Sequence, residues 1–224
     1  MINLSDDLQE IINQKKKELI EICKAIVEKG LVAGTWGNVS TKIDDNFIII
    51  TPSGINYDKL SFENIPIVNI KTKEFIGEKP STELNLHLKI YEKKNDIKAI
   101  IHTHSIYASL FAVTGKSLPP ILEEIAQICG PKIKCAKYAI AGSDELVKNT
   151  IEVLQESNAA FLANHGAIAC GRTLKEALTC ALILEKGCKI FYKSKNIGKI
   201  RILPEKEAIK LYNFYREKYQ SKPE

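Results

Sequence analysis

The sequence lacks the features that mark membrane-spanning and secreted proteins. No apolar stretch reaches the ~18 residues that a membrane span requires, and the polar first ten residues do not resemble a secretion signal. The six cysteines form no CxxC pair and no dense framework, which indicates reduced thiols rather than disulfides. These absences predict a cytoplasmic protein that makes no contact with a membrane.

Long runs of one charge are also missing. The formal net charge is +5, but the 32 Lys and Arg are spread along the whole chain, and a short run such as residues 15–17 is typical of a solvated face. Because no basic stripe interleaved with aromatics is present, the sequence does not favour nucleic acid as a partner. The hydrophobic share of 45% and the charged share of 26% are ordinary for a soluble domain that builds its own core.

Hydrophobic periodicity predicts helices and short strands in mixed order. Helices are expected over 5–30, from Ser81 or Thr82 to about 94, and over 105–111, 121–129, 144–157, 173–192 and 204–219. Strands are expected over 47–50, 65–70, 74–77, 99–101, 159–162 and 167–170, with loops at 34–40 and 51–54. Because turns join several strands directly, we predict one α/β domain over residues 1–224 with a partly antiparallel sheet.

Histidine is scarce, since only four occur, yet His102 and His104 are separated by a single residue. In a strand, residues i and i+2 point to the same face, so both imidazoles can bind one metal ion. His165, in a turn between two short apolar strands, is the best candidate for a third ligand. Three protein nitrogens with an exchangeable fourth position are typical of catalytic zinc. The alternative is a pair of hydrogen-bonded histidines at a strand end.

Glu83 and His87 lie four residues apart on a predicted helix, and this spacing could also chelate a metal ion. The more common outcome is a hydrogen bond from His87 to a neighbouring loop. Separately, glycines and hydroxyl side chains are concentrated at 34–40, 51–54 and 81–82, where backbone amides or a helix N-terminus could bind an anion. Taken singly, each of these stretches is also typical of a turn or an N-cap.

Five motifs in this order resemble the class II aldolase and adducin-head family: GTxGNxS at 34–40, TPSG at 51–54, PSTE at 80–83, HTH at 102–104 and NHG at 164–166. The resemblance covers roughly residues 8–195. It implies a three-layer α/β/α sandwich with a mostly antiparallel central sheet, assembled as a homotetramer with active sites between subunits. The helix at about 204–219 is then a candidate for packing at a subunit interface.

The resemblance also implies roles for particular residues. One Zn²⁺ per subunit would be held by His102, His104 and His165, and Glu83 would alternate between metal ligand and catalytic base. The phosphate group of a sugar-phosphate substrate would bind at the segments that contain Asn38, Thr51, Ser53, Gly54, Ser81 and Thr82.

The sequence departs from part of the family at Glu123, which stands where some aldolases of the family carry a tyrosine acid from the neighbouring subunit. Tyr219 is the candidate for a second proton donor. The implied activity is zinc-dependent cleavage of a ketose 1-phosphate, such as fuculose 1-phosphate or a deoxypentulose phosphate, to dihydroxyacetone phosphate and an aldehyde. A glutamate at this position resembles the dehydratase branch and some deoxypentulose-phosphate aldolases. Because the family's dehydratases and epimerases use the same zinc and phosphate sites, dehydration of methylthioribulose 1-phosphate and pentulose-phosphate 4-epimerisation are alternatives. A non-catalytic adducin-like module is disfavoured, since the histidines and Glu83 are all present.

Overall fold

The computed structural model describes residues 5–218. Six α-helices lie in this part of the chain: α1 (Asp6–Glu28), α2 (Leu84–Lys93), α3 (Ile106–Thr114), α4 (Asp144–Leu154), α5 (Leu174–Ser194) and α6 (Glu205–Lys218). Its eight strands are β1 (Asn38–Lys42), β2 (Phe47–Ile50), β3 (Ile67–Asn69), β4 (Phe75–Ile76), β5 (Ala99–Thr103), β6 (Cys135–Ala136), β7 (Ala159–Leu162) and β8 (Gly166–Gly171). None of these helices is long and apolar enough to cross a lipid bilayer.

The eight strands form one sheet in the order β4-β3-β2-β1-β5-β8-β7-β6. Every neighbouring pair is antiparallel except β6 and β7, which are parallel. In the centre of the sheet, Asn38 of β1 lies opposite His102 of β5, and Thr103 lies opposite Ala167 of β8. The end of β5 and the starts of β1 and β8 therefore meet at one edge of the sheet.

Both faces of the sheet are covered by helices. Along β2, Ile49 packs into one hydrophobic cluster with α1, α3 and α5, whereas Ile48 and Ile50 pack into a second cluster with α2 and α4. This alternation follows from the period of two in a strand. The predicted three-layer α/β/α sandwich with a mostly antiparallel sheet is thus confirmed.

The start of α3 is stabilised by a carboxylate from another helix. Glu185 of α5 accepts hydrogen bonds from the backbone N–H groups of Tyr107 and Ala108 and from the hydroxyl of Ser105, at 2.7–2.9 Å. A negative charge at this position satisfies N–H groups that have no partner within the helix and interacts favourably with its dipole. Because α3 follows directly after His104, this contact also fixes the exit of the chain from β5.

We expect Glu185→Gln to lower the free energy of unfolding by about 1–3 kcal/mol, because a charge-assisted set of hydrogen bonds is replaced by weaker and incomplete ones. Urea unfolding followed by circular dichroism measures the change. Glu152→Gln, at an exposed position of α4, is the control and should leave the midpoint within error. Equal midpoints for the two variants would show that the carboxylate does not stabilise α3.

Two sequence predictions about local structure are wrong. The stretch 34–40 is a loop only up to Gly37, because Asn38–Lys42 is a strand that pairs with both β2 and β5. The helix expected from Ser81 or Thr82 begins at Leu84, since the Ser81 hydroxyl accepts a hydrogen bond from the Glu83 N–H and closes a turn before the helix.

The helix predicted over 121–129 forms over a slightly shorter range. Residues 123–129 are helical, and the last five of them, Ile125–Cys129, form a single π-helical turn. The backbone of Gly130, with φ of +126°, then ends it, and a Cβ atom at Gly130 would lie 2.6 Å from the Cβ of Ser157. The apolar pattern therefore predicted the end of this helix, which coincides with the close packing of Gly130 against Ser157. It packs against α6, whose Tyr212 donates a hydrogen bond to Asn158.

Candidate active site

Three histidines converge at the edge of the sheet where β5 ends and β8 begins. The Nε2 atoms of His102 and His104 lie 2.9 Å apart, as the shared face of i and i+2 in a strand requires. One nitrogen from each of His102, His104 and His165 lies within 4.8 Å of the others. Bonds of about 2.0–2.1 Å to one zinc ion separate ligand nitrogens by about 3.3 Å, so this spacing suits a single ion.

The close approach of β8 to the histidines depends on Gly166. A Cβ atom at this position would lie 2.3 Å from the carbonyl oxygen of Thr103 and 3.1 Å from the ring of His102. Such distances are inside van der Waals contact, so any other residue would push β8 away from β5. Gly166 therefore lets His165, the residue before it, reach the pair on β5.

His102 is held in the form that a metal ligand needs. It is fully buried, and its Nδ1 donates a hydrogen bond to the carbonyl oxygen of Ala167 at 3.0 Å, which leaves the lone pair of Nε2 directed at the other two rings. Burial lowers the pKa of His102 to about 4, although Glu83 opposes the shift. Burial and the neighbouring His165 also lower the pKa of His104. Both rings are therefore neutral at pH 7 and able to bind a metal ion.

Glu83 lies against the three histidines. Its Oε2 is 3.2 Å from Nε2 of His102, and its Oε1 is 3.6 Å from Nε2 of His165. Burial raises the pKa of Glu83, but His102, His165 and a hydrogen bond from Asn38 together outweigh burial and lower the pKa, so the group is a carboxylate. Within the described part of the chain, no donor bonds its buried Oε1. A buried carboxylate oxygen without a donor is costly, and a cation beside it removes that cost.

A chain of buried hydrogen bonds leads from Glu83 into the layer between β1 and α2. The amide Nδ2 of Asn38 lies 2.9 Å from Oε2 of Glu83, and Oδ1 of Asn38 lies 2.5 Å from Nε2 of His87. The hydroxyl of Ser40 lies 2.6 Å from Nδ1 of His87 and 2.6 Å from the hydroxyl of Tyr91. His87 thus contacts β1 rather than the three histidines. We call Asn38, Ser40, His87 and Tyr91 the β1–α2 network.

The cavity beside the histidines, of about 250 Å³, contains most of the residues expected to bind phosphate. Ser81 is buried there, and Gly54 has a φ of +74° that the turn after Pro52 requires. The predicted residues that line the cavity are Asn38, Ser53, Gly54, Ser81 and Thr82.

Two other predicted residues lie elsewhere. Thr51 is buried outside the cavity lining, and its hydroxyl accepts a hydrogen bond from the N–H of Val39. Glu123 is exposed and does not line the cavity of its own chain. Its neighbour Glu124 forms an ion pair with Lys186 at 2.7 Å. Tyr219 lies outside the described residues.

Trp36 is a cavity residue that the sequence analysis did not single out. Its indole ring, 66% exposed, lies 5.7 Å from the ring of His104 between centroids. It forms an apolar wall of the cavity on the side of the histidines, and Ala141 also lines this cavity. The only signal in the sequence is that this single tryptophan falls within a glycine-rich motif.

Comparison with known proteins agrees with this geometry. The family described as Class II Aldolase and Adducin N-terminal domain matches residues 17–192. A 5-deoxy-D-ribulose 1-phosphate aldolase from Bacillus thuringiensis serovar kurstaki is 37% identical over 199 residues, which cover 88% of this chain and 93% of the relative. An L-fuculose phosphate aldolase from Escherichia coli K12 is 34% identical over 169 residues, which cover 75% of this chain and 78% of the relative.

A solved structure of an L-fuculose 1-phosphate aldolase superposes with a TM-score of 0.85 and 32% identity, covering 91% of this chain and 96% of that one. The family match spans most of the described residues, and both sequence relatives exceed 30% identity. The chain therefore belongs to the Class II Aldolase and Adducin N-terminal domain family, as one of its aldolase-type enzymes.

Proposed function

We propose that the protein is a zinc-dependent aldolase that cleaves a ketose 1-phosphate to dihydroxyacetone phosphate and an aldehyde. The observation that carries this proposal is the convergence of three imidazoles and one buried carboxylate beside a cavity rich in hydroxyl groups. His102, His104 and His165 would hold the ion, with Glu83 as a fourth ligand when no substrate is bound. Imidazole nitrogens and one carboxylate oxygen are a donor set that suits zinc.

The phosphate group would bind at the two turns that line the cavity. The backbone N–H groups of Gly54 and Thr82 donate to no other group among residues 5–218. The hydroxyl oxygen of Ser81 accepts a hydrogen bond from the Glu83 N–H, so its own hydrogen is free to donate. Two backbone amides and the hydroxyls of Ser53, Ser81 and Thr82 form a set of donors suited to an anion. Bound remote from the reacting carbons, the phosphate orients the substrate.

Cleavage breaks the C3–C4 bond, with loss of the C4 hydroxyl proton and gain of a proton at C3. A bound zinc ion supplies Lewis-acid stabilisation of the negative charge that develops on the three-carbon fragment. Glu83 would deliver the proton to C3, because one of its oxygens is held by Asn38 while the other has no donor in the described chain. In the condensing direction the lowered pKa of Glu83 keeps it a carboxylate that can remove the C3 proton, and in cleavage it would first take up a proton from solvent and then donate it to C3.

The indole of Trp36 supports an aldehyde with an apolar end. It lines the cavity beside His104, and the carbons beyond C4 of a ketose would lie there if the phosphate binds at the turns that contain Gly54 and Ser81. A methyl-terminated deoxy sugar loses less hydration against such a surface than a sugar with a terminal hydroxyl. Fuculose 1-phosphate and 5-deoxypentulose 1-phosphates are substrates of this kind.

Glu123 would remove the C4 hydroxyl proton in a site of another subunit. Because its side chain is exposed and does not line the cavity of its own chain, it can act only where a second copy brings it to the histidines. This supports the homotetramer with sites between subunits. Tyr219 stays a prediction for a second proton donor.

Mixed oligomers test the placement of Glu123. Glu123→Gln and Glu83→Gln should each be inactive alone, but subunits dissociated, mixed in equal amounts and reassociated should regain about a quarter of the wild-type rate, since a quarter of random pairings join two intact residues. Reassociated Glu123→Gln alone is the control. Failure of the mixture to regain activity, with reassociation shown by light scattering, would place Glu123 outside the reacting site.

The proposed function is tested by incubating the zinc-loaded protein with the 1-phosphates of fuculose, ribulose, 5-deoxyribulose and methylthioribulose. Release of dihydroxyacetone phosphate, followed by its enzymatic reduction with NADH, is the expected result. A 2,3-diketo product without fragments would show a dehydratase, and interconversion of pentulose phosphates would show an epimerase. Protein that retains no metal and turns over none of the four compounds would be an adducin-like module.

A further inference from the structure

We propose that the β1–α2 network positions the Glu83 carboxylate for proton transfer, with His87 as a positioning residue that acts through Asn38. This inference rests on the proposed function of Glu83 as the group that moves the C3 proton. It assigns a role to His87, a buried histidine that does not contact the three-histidine cluster and does not line the cavity. It also gives Asn38 a role besides phosphate binding.

The direction of every hydrogen bond in the network is fixed from its Glu83 end. A carboxylate only accepts, so the amide nitrogen of Asn38 must face Oε2 of Glu83 and the amide oxygen must face His87. Nε2 of His87 then donates to Asn38, and its Nδ1 accepts from the hydroxyl of Ser40. The Ser40 oxygen in turn accepts from Tyr91. Reversing the order would place the amide oxygen of Asn38 against the carboxylate.

Burial restricts the hydrogen bonds of the network to this one set of directions. The exposed fractions are 0% for Ser40 and His87 and 4% for Asn38 and Tyr91, so no member can turn to solvent. Burial lowers the pKa of His87 to about 3, which keeps the ring neutral and its two nitrogens distinct. A satisfied buried network of this kind restricts its members to one arrangement. The arrangement holds Oε2 of Glu83 and leaves Oε1 facing His165.

The spacing of the residues shows that one helix face meets one strand face. Glu83 is the N-cap of α2, and His87 and Tyr91 follow it at intervals of four, whereas Asn38 and Ser40 are separated by two on β1. Apolar side chains at these positions would pack without the cost of burying polar groups. The presence of polar side chains at these positions therefore indicates a function. The one charged group that the network contacts is the Glu83 carboxylate, which lies beside the proposed metal site.

Substitutions along the network separate positioning from packing. His87→Leu should lower kcat by roughly 10- to 100-fold with KM and bound zinc unchanged, because a misplaced base slows the reaction without weakening substrate binding. His87→Gln retains an N–H group that can reach Asn38 and should recover most of kcat. Tyr91→Phe should lower kcat less, since it removes only the far end of the chain.

Tyr212→Phe is the matched control. Tyr212 is as buried as Tyr91, at 5% exposure, and its hydroxyl donates to Asn158, which is not part of the network. It should lose stability without losing kcat. The proposal would be overturned if kcat fell in proportion to the loss of stability in both Tyr91→Phe and Tyr212→Phe. It would also be overturned if His87→Gln raised KM at constant kcat. The latter would show that the network serves the phosphate group.

A double-mutant cycle in metal-free protein distinguishes failure of this inference from failure of the proposed function. The effects of His87→Leu and Glu83→Gln on the unfolding equilibrium constant should differ from additivity by at least about threefold, because the two residues share one hydrogen-bonded chain. This coupling is measurable even if wild-type protein cleaves no ketose phosphate. Additive effects would show that His87 and Glu83 are independent, whatever the enzyme does.

Discussion

His102→Ala should lose bound zinc and lower kcat/KM by about 10³-fold or more, because a Lewis acid contributes several kcal/mol and each 1.36 kcal/mol is a factor of ten. His102 is the most buried of the three histidines and the one whose orientation is fixed by a backbone carbonyl. Its removal leaves two partly exposed rings and the Glu83 carboxylate, so the ion loses the ligand that a backbone carbonyl fixes in orientation and is held less tightly.

Zinc content after dialysis, measured by mass spectrometry, and kcat/KM with the preferred ketose phosphate are the two measurements. Thr103→Val is the matched control, since Thr103, the last residue of β5, lies between His102 and His104 in sequence but faces the opposite side of the sheet. The control should keep its zinc and most of its activity. His102→Ala that retains stoichiometric zinc and wild-type turnover would contradict the assignment of His102 as a ligand.

Glu83→Gln should lower kcat by about 10²- to 10⁴-fold while zinc remains bound, because general acid–base catalysis contributes this much and the three histidines are intact. Glutamine has the same shape, and its amide oxygen can still accept the hydrogen bond from Asn38. The variant therefore removes the ability to carry a proton with little change in packing.

Exchange of the C3 proton of dihydroxyacetone phosphate with deuterated water, followed by NMR, isolates this step from the chemistry at C4. Exchange should fall with kcat in Glu83→Gln but stay near wild type in Glu123→Gln. Glu92→Gln, at an exposed position of the same helix, is the control. Unchanged exchange in Glu83→Gln would show that another group moves the proton.

Parts of this site follow from local sequence alone. The spacing of His102 and His104 places both rings on one side of a strand whatever the rest of the fold, because successive strand residues alternate between faces. The hydroxyl and glycine residues of the turns at 51–54 and 81–82 can likewise be identified from the sequence without knowledge of the fold. His165 and Glu83 were identified by the resemblance of the ordered motifs to a family.

Other parts were hidden because they depend on distant residues. Asn38 and Ser40 look like loop residues, since a strand of polar side chains is disfavoured until partners satisfy them. Those partners are Glu83, His87 and Tyr91, which lie 45–51 residues away in sequence. The wrong loop prediction at 34–40 therefore failed at the residues that form the β1–α2 network.

The sequence by itself determined which chemical groups are available, the spacing of the two histidines on one strand and the α/β character of the chain, because composition and strand periodicity are local properties. Only the tertiary structure decided that Asn38 lies opposite His102, that Gly166 lets β8 bring His165 to them, and that Trp36 closes one side of the cavity. Those contacts depend on sheet order and strand register, which long-range packing fixes and no short segment encodes.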